Sequence, residues 1–257
     1  MDTTSSQPDA QAEQPIRTTS FAIPRPVITV MQFVIAAALP ILLVLINARL
    51  LMSETFVTWQ YNQPNFPPDV YGFTQDERIL YGNMGLQYLF NAEGIEFLGD
   101  LTFPDGSPLF NDRELSHMVD VKVVTRNLTT FGFSLLAVVL VMIGVMAAQS
   151  TTRPALWQSL LSGGILTVVL IVLGLIVTAT SFRWLFTQFH ALFFEGDSWL
   201  FLNSDTLIRL YPINFWVTSF AFMFGGALLQ AIVVGLIGFV GLRRSNLAES
   251  EVVAPAS

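Results

Sequence analysis

The chain contains no cysteine and little charge. Without cysteine there can be no disulfide, no thiolate nucleophile and no thiolate metal site. Charged residues make up 12% of the chain and hydrophobic residues 53%, whereas soluble domains have about 25% charged residues. The formal net charge of -7 does not suit a nucleic-acid partner, which needs a basic surface. The composition therefore indicates an integral membrane protein.

Four long apolar runs predict membrane-spanning helices, because a helix needs about 20 apolar residues to cross a bilayer. These runs cover residues 27–51, 128–148, 156–182 and 213–242. Glycines in the last two runs, such as Gly164, allow close helix contacts without forming a clear GxxxG seam. The predicted fold class is an all-α membrane protein with four transmembrane helices.

The segments between the spans predict a cap on one side of the membrane. Residues 52–127 and 183–212 are expected to form this mainly helical cap, and residues 149–155 a short link on the other side. The polar ends, residues 1–26 and 243–257, are predicted to be disordered tails.

Arginines at the span ends indicate the orientation. Under the positive-inside rule, the flanking arginines place both tails and the link in the cytoplasm: Arg17, Arg25, Arg153, Arg243 and Arg244. The cap is then extracytoplasmic. The bias is modest, because other basic residues lie near the cap. Arg243 and Arg244, directly after the last span, decide the predicted orientation.

The cap has sequence signals of a folded unit. Thr74 with Glu77, and Asn111 with Glu114, have the spacing of capping boxes. The first box predicts a helix to about Asn91, and the second a helix that can continue into the second span. The Pro-Asp-Gly sequence at 104–106 predicts a turn between the two helices.

The chain has only two histidines, and both are predicted to lie on the cap side. His117 falls on the second cap helix, about eleven residues before a span, and His190 falls about eight residues after another. If the helices continue, both stand roughly 12–16 Å beyond the span ends. Histidine suits proton transfer near neutral pH. The pattern fits an acid/base pair, and equally two unrelated interfacial histidines.

Carboxylates and aromatic residues surround these histidines in the sequence. Glu114 and Asp120 lie three positions from His117, so either could orient its ring. The aromatic residues predict a water-poor lipid pocket around His190, or alternatively a belt that anchors helix ends at the headgroups. They are Phe186, Phe189, Phe193, Phe194, Trp199, Tyr211 and Trp216.

Two blocks resemble a known family. Residues 110–122 contain Glu-Leu-x-His-Met-x-Asp-Val-Lys, and residues 189–199 contain Phe-His-x-x-Phe-Phe-x-x-x-x-Trp, followed by Leu-Ile-x-x-Tyr-Pro at 207–212. Both are similar to blocks of the lipoprotein intramolecular transacylase (Lit) family of bacterial four-span membrane proteins. The resemblance covers roughly residues 27–244, and its specificity comes from the two histidine blocks.

The resemblance implies an acyltransferase at the outer face of the bacterial cytoplasmic membrane. Its partners would be membrane lipid and a diacylglyceryl-modified lipoprotein. The sn-2 acyl chain would move to the amine of the lipidated N-terminal cysteine, which gives a lyso-form lipoprotein. His117 and His190 align with the family's catalytic pair, and no cofactor is implied. Oligomeric state stays open.

The residues are compatible with that chemistry. A base must deprotonate the amine and an acid must protonate the departing alkoxide, and two histidines can fill these roles in either order. The substrate supplies both amine and ester, so Ser116 is not needed as a nucleophile. An oxyanion would need donors, and four residues are candidates by position, each with a structural salt bridge or headgroup contact as the alternative. These are Tyr81, Arg126, Arg183 and Arg209.

Two other functions fit parts of the pattern. A non-enzymatic lipid- or lipoprotein-binding assembly protein could use the same aromatic pocket, and the histidines would then be dispensable. A zinc hydrolase could use His117, His190 and Asp120 with Glu195 or Asp197. The chain has no HExxH motif to support the zinc reading.

Overall fold

Eight helices form the described part of the protein. The computed structural model describes residues 23–253, and side chains through Leu247. Residues 1–22 and 254–257, parts of the predicted tails, lie outside the described residues. The helices are α1 (Arg25–Leu51), α2 (Glu54–Tyr61), α3 (Gln75–Phe90), α4 (Glu96–Gly99), α5 (Asp112–Ala148), α6 (Arg153–Phe193), α7 (Thr206–Leu210) and α8 (Ile213–Val253).

Four of these helices, α1, α5, α6 and α8, are long and apolar enough to cross a membrane. Across residues 23–253 the extended structure amounts to one isolated bridge between Thr102 and Pro108. The prediction of an all-α membrane protein with four transmembrane helices is confirmed.

Three of the spanning helices, α5, α6 and α8, are much longer than a bilayer requires. Helix α5 has 37 residues and α6 has 41, which correspond to lengths of about 55–60 Å against a hydrocarbon thickness of about 30 Å. All charged residues of α5 precede Asn127, so its N-terminal part projects beyond the apolar segment 128–148. The predicted continuation of the second cap helix into the second span is confirmed.

Helix α8 corrects the prediction of a disordered tail from residue 243. The helix continues to Val253, eleven residues past the predicted end of the last span. The sequence after Arg244 includes Leu, Ala and Glu, which favour helix. A helix that already exists extends without a new nucleation step, so these residues continue it although they are polar.

The bundle core forms where α1, α5 and α6 meet and where α6 packs on α8. Its buried side chains are Met31, Ile35, Ala38, Leu39, Leu42, Val139, Met146, Leu156 and Leu160, with Leu43, Ile171, Ala227 and Ala231 on the α8 side. Polar contacts also cross this region, and one of them is the hydrogen bond from the Gln32 amide to the Ala155 carbonyl at 3.0 Å. The Asn47 amide donates to Gln230 Oε1 at 2.8 Å and to the Leu43 carbonyl at 2.7 Å, so the buried amide N–H groups have partners.

The cap is built on the two predicted capping boxes, and both are present. Thr74 and Glu77 exchange hydrogen bonds at the start of α3, and Asn111 and Glu114 do so at the start of α5. The predicted turn at 104–106 is present too, with Gly106 at φ +85°. The cap core packs α3, α4, α5 and α7 together through Phe73, Tyr88, Leu98, Leu109, Phe110, Met118, Leu207 and Leu210.

Candidate active site

His117 lies in the second turn of α5, where the helix is tied to α7. The Glu114 carboxylate is almost fully buried and accepts hydrogen bonds from the backbone N–H of Asn111 at 2.9 Å and of Leu207 at 2.7 Å. These bonds hold α7 against the start of α5. This packing, together with the surrounding aromatic rings, leaves His117 only 7% exposed.

His190 lies in the last turn of α6, on an arm that follows a break in the helix. Ser181 has non-helical backbone angles (φ -146°, ψ 40°), which separates residues 182–193 from the preceding span. The Nδ1 atom of His190 lies 2.8 Å from the Phe186 carbonyl oxygen. A carbonyl can only accept, so Nδ1 carries the hydrogen and Nε2 of the neutral ring has the lone pair.

The two imidazoles are adjacent although the residues are 73 positions apart in the sequence. Their ring centroids are 6.1 Å apart and their planes differ by 23°. A separation of this size is compatible with both imidazoles contacting one substrate group.

Aromatic rings enclose the pair. Phe194 contacts both rings, at centroid distances of 4.7 Å to His117 and 5.6 Å to His190. Phe186 and Trp199 lie 4.1 Å and 4.9 Å from His190. Such a shell excludes water and strengthens electrostatic interactions within it.

Burial sets the protonation state of both histidines, which lie beyond the apolar segments 128–148 and 156–182. Burial, and secondarily the neighbouring His190, lowers the pKa of His117 to about 4. Burial also lowers the pKa of His190, and its hydrogen bond to the Phe186 carbonyl partly opposes this. Both rings are therefore neutral at pH 7 and able to accept a proton.

The polar residues predicted to assist the histidines lie elsewhere. Asp120 is exposed, and in the described part of the chain it has no hydrogen bond to His117. Helix α5 turns His117 toward the cap interior, where Glu114 is already engaged with backbone amides. Arg126 and Arg183 are exposed, and neither has an ion-pair partner among residues 23–247.

Tyr81 and Arg209 belong to the packing of the cap. The Tyr81 ring lies 5.7 Å from the Phe73 ring. Arg209 forms a buried ion pair with Asp69 at 2.9 Å, and its guanidinium lies 3.7 Å from the centroid of the Phe73 ring. Neither residue therefore contacts the imidazoles. Arg209 forms a structural salt bridge, which was the alternative to its being an oxyanion donor.

The remaining predicted pocket residues form an outer layer. Phe189 contacts His190 edge-on at 5.5 Å, and Phe193 packs on Phe189 at 5.1 Å. Trp216 lies 5.9 Å from Phe186. Tyr211 donates to the Gly82 carbonyl at 2.6 Å and lies in the cap core. Some of the predicted pocket residues thus contact the imidazoles directly, and others only support the rings that do.

Two contacts at the site were not predicted from the sequence. Phe201 packs on His117 at 5.3 Å, and Glu114 acts as the link to α7. Phe201 belongs to the same aromatic-rich stretch as Phe194 and Trp199, and the aromatic composition of that stretch is the sequence signal that could have indicated it. The hydrogen bond from Leu207 to Glu114 joins positions 93 apart, and the sequence carries no local mark of it.

The site does not gather metal ligands. Within the described residues there is no group of three or more His, Cys, Asp or Glu side chains placed to hold a metal ion. Glu195 and Asp197, the carboxylates considered for a zinc site, are both exposed.

Comparison with known proteins gives matches over most of the chain. The family model described as lipoprotein intramolecular transacylase Lit matches residues 31–216. A protein of Aquifex aeolicus (strain VF5), described as uncharacterized, is 32% identical over 196 residues, which cover 76% of this chain and 87% of that protein.

Solved structures of the Bacillus cereus lipoprotein intramolecular transacylase Lit share the fold. One has a TM-score of 0.73 at 17% identity and covers 87% of this chain and all of that one. Two variants of that protein, in which one histidine is replaced by arginine or by alanine, match with TM-scores of 0.67 and 0.66 at 18% and 19% identity. These cover 87% and 86% of this chain and 95% and 96% of theirs. The family model covers well over half of the chain, and this protein therefore belongs to the Lit family of lipoprotein intramolecular transacylases, which are membrane acyltransferases.

Proposed function

We propose that this protein transfers the sn-2 acyl chain of a diacylglyceryl-modified lipoprotein to the amine of its N-terminal cysteine. The reaction takes place at the extracytoplasmic face of the cytoplasmic membrane, with both chain termini in the cytoplasm. The observation that carries the proposal is the adjacency of the chain's two histidines, 6.1 Å apart inside an aromatic shell. Membership of the Lit family supports the reaction class.

In this proposal His190 is the general base. Its Nδ1–H is held by the Phe186 carbonyl, so the lone pair of Nε2 is the free basic site. A hydrogen bond at the far nitrogen also raises the basicity of the ring. His117 has no such acceptor at Nδ1 among the described residues, so nothing there raises the basicity of its ring in the same way.

A single proton circulates through the pair. The cysteine nitrogen attacks the carbonyl carbon of the sn-2 ester, and His190 takes the proton that this nitrogen loses. The tetrahedral intermediate then breaks its bond to the sn-2 oxygen, and the histidine pair returns the proton to that oxygen. An amide and a free hydroxyl result, with no net consumption of protons. Two buried imidazoles this close oppose double protonation, which suits a one-proton cycle.

The aromatic shell supplies the other part of catalysis. Amine and ester belong to the same substrate, and fixing them in contact can be equivalent to an effective concentration of about 10⁵–10⁸ M. Phe186, Phe194 and Trp199 enclose the imidazoles and exclude water, which would otherwise compete with the amine for the ester.

The test is mass spectrometry of the N-terminal peptide of a reporter lipoprotein. The reporter is co-expressed with the wild type, His117→Gln or His190→Gln in a host that makes diacylglyceryl-lipoprotein and lacks this activity. Wild type should leave the total mass unchanged and move one acyl chain to the α-amine, as located by fragment ions. Each histidine variant should lower the product by about 10²–10⁴-fold, the usual contribution of acid–base catalysis.

Two neighbouring substitutions serve as controls. Ser116 directly precedes His117, Gln188 lies two positions before His190, and both side chains are exposed. Ser116→Ala and Gln188→Ala should retain wild-type product, and all variants should accumulate equally in the membrane. If wild type left the diacylglyceryl group untouched, the transacylase proposal would be wrong. Full activity in both histidine variants would instead remove the pair from the mechanism and favour a lipid- or lipoprotein-binding role for the pocket.

A further inference from the structure

Two buried nitrogen atoms at the candidate active site lack hydrogen-bond partners among the described residues. Among the described residues, three buried side-chain nitrogen or oxygen atoms are unpartnered: Asn83 Oδ1, His117 Nδ1 and Trp199 Nε1. The last two belong to the candidate active site. Buried polar groups are normally paired, so an unpaired one calls for a specific explanation.

The loop that follows α6 carries Trp199 to the imidazoles. Gly196 has a φ of +64°, which a side chain would disfavour, and the chain then turns with the Leu200 N–H donating to the Asp197 carbonyl at 2.9 Å. The indole ring comes to lie 4.9 Å from the His190 ring, at an interplanar angle of 32°. The loop therefore places the indole ring, which carries the unpartnered N–H, beside the proposed general base.

The chemistry of indole restricts what this N–H can bind. It is a hydrogen-bond donor only, so its partner must be an acceptor such as a carbonyl oxygen or an oxyanion. A phenylalanine ring could fill similar apolar space without a buried donor. The four polar residues considered as oxyanion donors from the sequence lie in the cap core or on exposed surface, so Trp199 is the donor that the structure brings next to the histidine pair.

We propose that the Trp199 indole N–H donates a hydrogen bond to the acyl carbonyl oxygen and to the oxyanion formed from it. This inference rests on the proposed transacylation. When the amine nitrogen bonds to the carbonyl carbon, the C=O π pair moves to oxygen, and Trp199 stabilises that charge. When the carbon–oxygen bond to the sn-2 position breaks, the pair returns to re-form C=O. Trp199 itself neither gains nor loses a proton.

The activity test uses the purified full-length protein and a synthetic diacylglyceryl-cysteinyl peptide. Trp199→Phe keeps an aromatic ring and removes the N–H. We expect kcat to fall by about 10²–10³-fold, as for loss of one oxyanion-hole donor, with KM and thermal stability close to wild type. Trp184→Phe is the matched control, because Trp184 is 59% exposed on the arm of α6 that carries His190, and it should retain wild-type kcat.

A second measurement does not depend on turnover. The N-acetylated form of the same peptide keeps both esters but has no free amine, so it can bind without reacting. In protein labelled with ¹⁵N-tryptophan, the Trp199 indole N–H signal is assigned by its loss in Trp199→Phe. We expect it to shift downfield on addition of the blocked peptide, while the Trp184 signal stays in place.

The two measurements separate the failure of this inference from failure of the proposed function. Transacylation by wild type, with kcat in Trp199→Phe within threefold and an unmoved indole signal, would overturn the donor role and leave the function intact. A shifted signal in a protein without turnover would support carbonyl binding and remove the transacylase proposal. An indole signal that is already hydrogen-bonded before ligand is added, and does not change, would assign the N–H to water and refute the inference.

Discussion

Helices α6 and α8 come into backbone contact at the glycine pair Gly164 and Gly235, and adding one methyl group there should have opposite effects on its two sides. A Cβ built on Gly164 would lie 2.7 Å from Gly235 Cα, 2.9 Å from Gly235 N and 3.0 Å from the Ala231 carbonyl oxygen. A Cβ on Gly235 would meet only Gly164 Cα, at the ordinary distance of 3.8 Å. Gly164→Ala should therefore destabilise the protein, and Gly235→Ala should not.

The magnitudes follow from two opposing effects. Replacing glycine by alanine inside a helix stabilises the folded protein by up to about 1 kcal/mol. At Gly164 the clashing atoms are backbone atoms that cannot rotate away, so the overpacking cost is expected near the upper end of the usual range, about 3 kcal/mol. The net loss is about 2 kcal/mol. In a protein of this size that lowers Tm by roughly 4–8 °C, whereas Gly235→Ala should leave Tm unchanged or raise it by up to about 3 °C.

The assay is thermal unfolding of both variants in one detergent, followed by tryptophan fluorescence and checked by helical circular dichroism. A scan at two heating rates tests whether the order of the variants is independent of kinetics. No loss of Tm in Gly164→Ala would refute the close approach of the two helices. Equal losses of Tm in the two variants would refute the predicted difference between the two glycines. An enlarged loss at both would mean that the helix pair is packed differently around this point.

Two further predictions concern titration and the cap. The pKa of His117, lowered from 6.5 to about 4, means that the unfolded chain takes up a proton as pH falls below about 6.5 while the folded protein does not. Stability should then fall by up to about 3 kcal/mol between pH 6.5 and pH 4, and His117→Gln should remove most of this component; equal pH slopes of Tm in both proteins would contradict it. Asp69→Asn should cost about 3–5 kcal/mol by leaving the Arg209 guanidinium, whose side chain is 9% exposed, buried without its partner. Arg113→Gln, which removes a half-exposed ion pair at 3.5 Å, should cost no more than about 1 kcal/mol, and similar Tm losses in the two variants would be the contrary result.

The spans and both capping boxes could be predicted because their signals are local. A run of apolar residues, or Asn111 with Glu114 three positions later, determines structure within one or two turns. The resemblance of the two histidine blocks likewise depends on short segments. It brought His117 and His190 forward as a pair, and the structure brings their rings together.

Side-chain roles at the site depended on packing between distant segments. Asp120 is close to His117 along α5, yet the helix turns it to the exposed side because α7 and the aromatic loop cover the other face. Arg209 looks like a free cation in the sequence, and only the fold shows Asp69, 140 positions away, beside it. The unpartnered nitrogen of Trp199 is likewise a property of its buried surroundings, which no local pattern encodes.

The break at Ser181 should make the two histidines respond differently to the lipid around them. His117 is carried on α5 without a break, so a change of about 5° in the tilt of that helix, pivoting at residue 128, moves it by about 1.4 Å. His190 sits on an arm beyond Ser181, where a change in the tilt of α6 can be absorbed before it reaches the ring. Helix tilt responds to hydrocarbon thickness. We therefore expect the spacing of the two imidazoles to vary with bilayer thickness through the tilt of α5 more than through the tilt of α6.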